Sequence, residues 1–152
     1  MEVYRLAQAR YAKDLTGKGA AAKGARWNSP GVELLYTAQN RSLAMAEIAV
    51  HFTLATLPDD YRMITLKVPD TIPYQRLSEA DLPANWKDFP HPPATQKVGN
   101  EFVRQNQYAV LFIPSAVTQG EYNVLLNPHH RDFAQIKICN IEKFPFDKRI
   151  FT

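Results

Sequence analysis

The chain has 152 residues, 45% hydrophobic and 22% charged, which suffices for one domain with a genuine core, is too short for two full-sized ones, and excludes disorder and coiled coil. Eighteen basic residues against 15 acidic ones give a net charge of +3. That mild bias suits an anionic small molecule or an acidic protein partner, and it falls short of the clustered stripe of a dedicated nucleic-acid binder. No stretch approaches the roughly 20 consecutive apolar residues of a membrane helix, and Met1 to Arg10 lacks the apolar run of a secretion signal, so a cytoplasmic protein is expected.

In chain order, Gly17 to Gly24 reads as an Ala/Gly/Lys loop, and Ser29-Pro30-Gly31 as a turn leading into a buried strand over Val32 to Thr37. Ser42 to about Thr56 are good helix formers, with Asn40 or Ser42 as cap and Pro58 as stop. Ile64, Leu66 and Val68 alternate with Thr65 and Lys67, the pattern of a strand with one buried face, and Ile72 to Leu77 suggests another short strand. Leu82 to Pro93, rich in proline, is expected to be an ordered surface loop pinned by Trp86 and Phe89.

A helix follows from about Thr95 to Gln105, weakened by Gly99. Ala109 to Ile113 and Tyr122 to Leu126 are continuous apolar runs that read as central strands, and Ile136 to Cys139 as a last one. Cys139, the lone cysteine, is expected to be a small buried hydrophobe. Roughly six strands and two or three helices, out of regular alternation, predict an α+β domain over residues 1–152 with a mainly antiparallel sheet.

Two phosphate-binding fingerprints are imitated near the start. Gly17-x-Gly19-x-x-Ala22 spaces like a dinucleotide turn, and Gly19 and Gly24 space like a phosphate loop. The context rejects both, because Tyr11 to Thr16 is a polar lead-in and Ala25-Arg26 stands where a phosphate loop needs Lys and then Ser or Thr. Asn127-Pro128-His129-His130 tempts one toward a metal, yet adjacent histidines on a turn diverge and no acidic cluster accompanies them, so no metal is expected.

The helix after Asn40 holds the informative anomaly. Leu43, Ala44, Met45, Ala46, Ile48, Ala49, Val50 and Phe52 surround it with apolar side chains, as expected of a helix buried in the core. Glu47 and His51 are its ionisable residues, four apart and therefore on one face. A carboxylate in such company must be paired, protonated or turned to a cleft. Pattern alone leaves a structural ion pair with an arginine and a functional role equally open. His51 reads as a packing or supporting residue.

Several blocks together resemble the RES domain family. They are Gly24 to Gly31, containing Arg26-Trp27-Asn28; Leu35-Tyr36-Thr37-Ala38; Ser42 to Glu47 with His51; Ile113 to Val117; Tyr122-Asn123-x-Leu125-Leu126-Asn127-Pro128-His129-His130; and Phe146-Asp147-x-Arg149. They occur in the family's order over nearly the whole chain. The family's namesake arginine, glutamate and serine correspond to Arg26, Glu47 and Ser115, and Tyr36 matches a further active-site tyrosine. Ala25 stands where glycine is common, which leaves the loop able to form with less backbone freedom.

The resemblance implies an ADP-ribosyltransferase-like fold and the toxin of a bacterial toxin–antitoxin pair. It implies that the toxin destroys NAD+, as substrate and with no cofactor, and that an Xre-type antitoxin occludes the pocket and binds the promoter. Self-association stays open. Expulsion of nicotinamide leaves a ribose with oxocarbenium character, which a carboxylate steadies. Glu47 fits that task. Arg26 offers a planar fork for the pyrophosphate, Tyr36 a ring or hydroxyl for the substrate, and Ser115 a hydroxyl for the ribose or for orienting Glu47.

Arg5, Trp27, Asn28 and Asn127 join these as expected substrate contacts, with core packing the alternative for Trp27 and turn formation for Asn28. Water or phosphate as acceptor, transfer of ADP-ribose to a protein, and a basic nucleic-acid-binding module are the competing functions.

Overall fold

The computed structural model describes Met1 to Phe151; Thr152 lies outside the described residues. Seven strands build one mixed sheet: β1 (Glu2–Gln8), β2 (Leu35–Ala38), β3 (Tyr61–Lys67), β4 (Tyr74–Arg76), β5 (Val110–Pro114), β6 (Tyr122–Leu126) and β7 (Lys137–Lys143). Three α-helices accompany them: α1 (Lys18–Lys23), α2 (Arg41–Ala49) and α3 (Pro93–Gln105). The spatial order is β4-β5-β6-β2-β1-β3-β7. All neighbours are antiparallel except β4 and β5, so the α+β expectation holds. β1 is a strand that the alternation of the sequence did not reveal.

The ladder is uneven. β1 pairs with β3 from Glu2↔Lys67 to Gln8↔Tyr61, and β2 pairs with β6 from Leu35↔Leu126 to Ala38↔Asn123. β1 and β2 meet at Tyr4↔Ala38 alone. The sheet is therefore two laminae, β4-β5-β6-β2 and β1-β3-β7, joined at one point.

Paired residues share a face of a sheet, so the registers place Leu111, Leu125, Tyr36, Ala38, Tyr4, Leu6 and Met63 on one side. There α2 packs Leu43 and Ala44 onto Leu6, Ala38 and Met63. Further along the same side α3 packs Phe102, with Trp27 and Trp86, onto Leu111, Ile113 and Leu125. The other side holds Val3, Leu35, Ile64, Leu66, Phe112 and Val124, closed by Ala12, Val68, Ile72 and Ile136. In β3, Met63, Ile64, Thr65 and Leu66 are all buried, so this strand is covered on both faces rather than on one.

Local chemistry corrects three other expectations. The segment Gly17 to Gly24 is not a loop throughout: Ala20, Ala21 and Ala22 favour helix, and α1 forms between Gly17 and Gly24, both at φ +75°. A Cβ on Gly17 would also lie 2.7 Å from the Leu34 nitrogen. α2 is capped by Asn40, which accepts from the Leu43 N–H at 2.8 Å, but it stops at Ala49 instead of Thr56. Val50 and Leu54 are 60% and 48% exposed, so beyond Ala49 Phe52 packs on Tyr61 without a continuous apolar face to hold further turns, and Thr53 and Thr56 bond one another in a turn of their own. Of the helix only Leu43 and Ala44 are buried, and it is a surface helix rather than a core one.

Trp86 pins the proline-rich loop, being 5% exposed, whereas Phe89 is 83% exposed and pins nothing. Cys139 is exposed on β7. Both sheet edges are modest: β4 has three residues, and β7 carries Lys137, Glu142 and Lys143, mostly exposed. No helix among the described residues is long and apolar enough to cross a membrane.

Gly99 has a structural reason that the helix pattern could not supply. A Cβ there would sit 1.7 Å from the carbonyl oxygen of Trp27, so α3 lies directly on the backbone of the Trp27 turn. Gly99→Ala is expected to force helix and turn apart and to destabilise the fold by about 3 kcal/mol or more, above the usual helix preference for alanine. Urea unfolding checks this, and an unchanged midpoint would refute the close approach.

Candidate active site

Glu47 stands in the last turn of α2. Its Oε1 accepts two hydrogen bonds, from Ser115 Oγ at 2.6 Å and from Asn123 Nδ2 at 2.7 Å. Ser115 follows β5, and its oxygen in turn accepts the backbone N–H groups of Val117 and Thr118, each at 3.0 Å. With those donors on the serine oxygen, its own proton goes to Glu47. Asn123 is buried in β6, where its amide is aimed by strand register opposite Ala38. Both bonds fall on Oε1, and Oε2 takes none from the described residues. The carboxylate therefore sits among polar partners rather than within apolar walls, and its second oxygen is available.

Glu47 lines a cavity of about 690 Å³ at the split in the sheet, within the usual range of roughly 300–1,000 Å³ for small-molecule sites. One wall is Arg5 to Gln8 of β1 and another is Leu34 to Ala38 of β2 with its lead-in. Residues between Tyr11 and Ala20 form a third. Tyr36, Ala44, Ile48 and Asn123 surround Glu47 at its side. Arg5 is half-buried, and burial works against its charge while nearby Asp14 favours it. Asn123 is the supporting residue that sequence reasoning missed; the signal was the polar residue inside the apolar Tyr122–Leu126 run.

The turn from Ala25 to Tyr36 is built around buried hydrogen bonds. An antiparallel bridge joins Ala25 and Asn28. Asn28, fully buried, donates from Nδ2 to the carbonyls of Ala20 and Val32, each at 3.0 Å. Its Oδ1 accepts the Tyr36 hydroxyl at 2.6 Å, and that hydroxyl accepts the Trp27 N–H at 3.0 Å. Burial holds the Tyr36 phenol well above its usual range, so it remains a donor at neutral pH. Tyr36 thus offers its ring to the cavity while its hydroxyl fastens the turn.

Arg26 is half-buried behind the cavity wall rather than in it. Its NH1 donates to the carbonyls of Trp86 at 2.6 Å and Asp88 at 2.9 Å, tying the turn to the proline-rich loop. Burial lowers its pKa, opposed chiefly by Glu47 and then by Tyr36 and Asp88. It is a cation within electrostatic reach of Glu47 without being ion-paired to it.

Three expected substrate contacts are placed elsewhere. Trp27 is 2% exposed and packs on Trp86, their ring centroids 6.2 Å apart. Asn28 spends its amide on the turn. Asn127, fully buried, donates to Asn106 Oδ1 at 2.9 Å and accepts the His129 N–H at 3.0 Å. All three are consumed by folding, because a buried amide must find partners. His51 lies exposed beyond the end of α2. The neighbouring histidines diverge, His129 toward Glu33 at 3.4 Å and His130 inward to the Asp132 N–H and the Gln107 carbonyl.

A split mixed sheet with a small-molecule-sized cavity at the split and a hydrogen-bonded glutamate in its wall defines an α+β domain of enzyme-like construction. Residues 2–147 match the RES domain model, and the chain belongs to the RES domain family. It is 33% identical over 141 residues to the "Prs ADP-ribosylating toxin" of a Sphingobium species, covering 91% of this chain and 88% of that one. It is 33% identical over 153 residues to "Toxin Res" of Yersinia enterocolitica, covering 99% of each. Among solved structures, the crystal structure of the M. tuberculosis MbcT–MbcA toxin–antitoxin complex matches with a TM-score of 0.74 at 20% identity, over 95% of this chain and 84% of that chain. This likeness bears on the fold.

Asn28→Ala removes both donors and the acceptor for Tyr36 from a fully buried position. Leaving such groups unsatisfied costs about 1–3 kcal/mol each, and a loss of roughly 3 kcal/mol in unfolding free energy is expected. Tyr36→Phe should cost less, since Asn28 keeps its other bonds. Equal stability of Asn28→Ala and wild type in urea would contradict the assignment.

Proposed function

We propose that this chain is the toxin of a toxin–antitoxin pair and that it cleaves the nicotinamide–ribose bond of NAD+. The observation that carries the reading is Glu47, fixed through Oε1 by Ser115 and Asn123, with Oε2 left to a cavity of about 690 Å³. Family membership supports it, as does the name of the Sphingobium relative.

The chemistry follows from charge. Rupture of the C1′–N bond sends its electron pair to the ring nitrogen, so nicotinamide leaves neutral and the ribose acquires oxocarbenium character. A carboxylate held beside the sugar stabilises that cation, more strongly where the cavity excludes water. Water then adds to C1′ and releases a proton, giving ADP-ribose; inorganic phosphate as acceptor gives the 1″-phosphate instead. Glu47 Oε2 accepts from a ribose hydroxyl and faces the developing charge. Ser115 and Asn123 hold it in place as positioning residues.

Tyr36 presents its ring to the nicotinamide side. Arg26 braces the wall through the Trp86 and Asp88 carbonyls, while Arg5 takes the pyrophosphate. The partner in this reading is an Xre-type antitoxin that covers the cavity, and the setting is the cytoplasm.

A second reading, transfer of ADP-ribose to a protein, is favoured by the words "ADP-ribosylating toxin" in the relative's name. The two share every step up to the acceptor. Purified protein incubated with labelled NAD+, with and without phosphate, separates them: free ADP-ribose, its phosphate, or label on a macromolecule.

Release of nicotinamide is the expected result. Glu47→Gln keeps shape and loses charge, and should lower turnover by about 100- to 1,000-fold with an unchanged melt. A hydrogen bond to a charged group contributes about 1.5–3 kcal/mol, so Ser115→Ala and Asn123→Ala should each lose about 10- to 100-fold. Full turnover by folded Glu47→Gln would remove Glu47 from the mechanism.

A further inference from the structure

The charges lining the cavity are sorted by the split in the sheet. Among the described residues its carboxylates are Glu47 and Asp14 and its cations Arg5 and Lys18. Glu47 comes from α2, on the face that carries Tyr4, Leu6 and Tyr36. Arg5 points from β1 to the opposite face, since neighbouring strand residues alternate, and its NH1 reaches the Tyr11 carbonyl at 3.4 Å. Ala12 and Leu15, which bracket Asp14, pack into the core of that opposite face. Arg5 and Lys18 both act on Asp14 electrostatically. One end thus holds a carboxylate, and the other holds two cations grouped with a second carboxylate.

Asp14 is held, not merely present. Its Oδ1 accepts the Thr16 N–H at 2.9 Å and the Thr16 hydroxyl at 2.6 Å. Those bonds, the hydroxyl first, keep its carboxyl below the usual range and therefore ionised at neutral pH. Oδ2 receives no hydrogen bond from the described residues. Arg5 makes no other hydrogen bond among them than the long one to Tyr11, which leaves most of its N–H donors to a bound anion.

A dinucleotide presents a matching series: a ribose diol, a pyrophosphate, and a second ribose diol. We propose that Asp14 is a specificity-determining residue whose Oδ2 accepts the adenosine-ribose hydroxyls, so that the site takes NAD+ and refuses its 2′-phosphorylated counterpart, NADP+. The proposal rests on the dinucleotide reading given above. A fixed acceptor oxygen suits a diol. A 2′-phosphate placed there adds about −1.5 to −2 of charge beside an anion that has no proton to donate. Arg5 and Lys18 cannot relieve it while they hold the pyrophosphate.

The test compares kcat/KM for NAD+ and NADP+ in wild type, Asp14→Asn and Asp14→Ala, with thermal melts of each. Wild type should prefer NAD+ by about 100-fold or more, and both variants should narrow that preference at least about tenfold, with KM raised for NAD+ and lowered for NADP+. Calorimetric titration of the wild type and Asp14→Asn with ADP-ribose and with its 2′-phosphate is run alongside. Equal use of both dinucleotides, or a preference unmoved in folded variants, overturns the role of Asp14 and leaves NAD+ cleavage standing. A protein that cleaves neither dinucleotide yet binds ADP-ribose ahead of its 2′-phosphate, with that binding preference narrowed in Asp14→Asn, overturns the reaction and retains Asp14. Equal binding of the two ligands, or of neither, overturns the Asp14 assignment.

Discussion

The single pairing of β1 with β2 at Tyr4↔Ala38 governs everything else in this molecule. A continuous ladder between these strands would place backbone where the cavity now lies. Because the two laminae separate beyond this contact, Arg5 to Gln8 of β1 and Leu34 to Thr37 at β2 become walls. The unpaired backbone this creates is tolerable only beside solvent or a polar occupant. Opening the sheet at its centre also lets side chains from both faces reach one space, which no intact sheet permits.

Around that opening the structure devotes its buried polar groups to rigidity. Tyr36, Asn28 and Trp27 form a hydrogen-bonded group that fastens β2 to the turn, and the adjacent Arg26 ties that turn to the carbonyls of Trp86 and Asp88. Ser115 and Asn123, from the end of β5 and from β6, converge on Glu47 of α2. Elements distant in sequence are thereby fixed relative to one another, and a site borne on rigid elements holds its geometry better than one borne on loops.

Much of this was legible from residues alone. The runs at Ala109 to Ile113 and Tyr122 to Leu126 announced β5 and β6, Asn40 announced the cap of α2, and the family blocks pointed to Glu47 and Ser115, which the structure brings within 2.6 Å. What stayed hidden was set by tertiary context. β1 escaped notice because Arg5 and Tyr4 interrupt its alternation, yet it supplies a wall of the cavity. The segment past Ala49 has the composition of a core helix, yet Val50 and Leu54 face solvent. Trp27, Asn28 and Asn127 belong to motif blocks, and a motif does not distinguish a residue that touches a ligand from one that builds the turn beneath it.

The rims of the sheet carry a last consequence. An exposed strand invites another chain to extend the ladder, and here both outer strands are poor templates. β4 is three residues long, while β7 bears Lys137, Glu142 and Lys143 and meets β3 through an irregular register at Thr65 and Leu66. Growth by strand addition is disfavoured at either margin, which leaves the two ends of the sheet uninviting to another chain's strand.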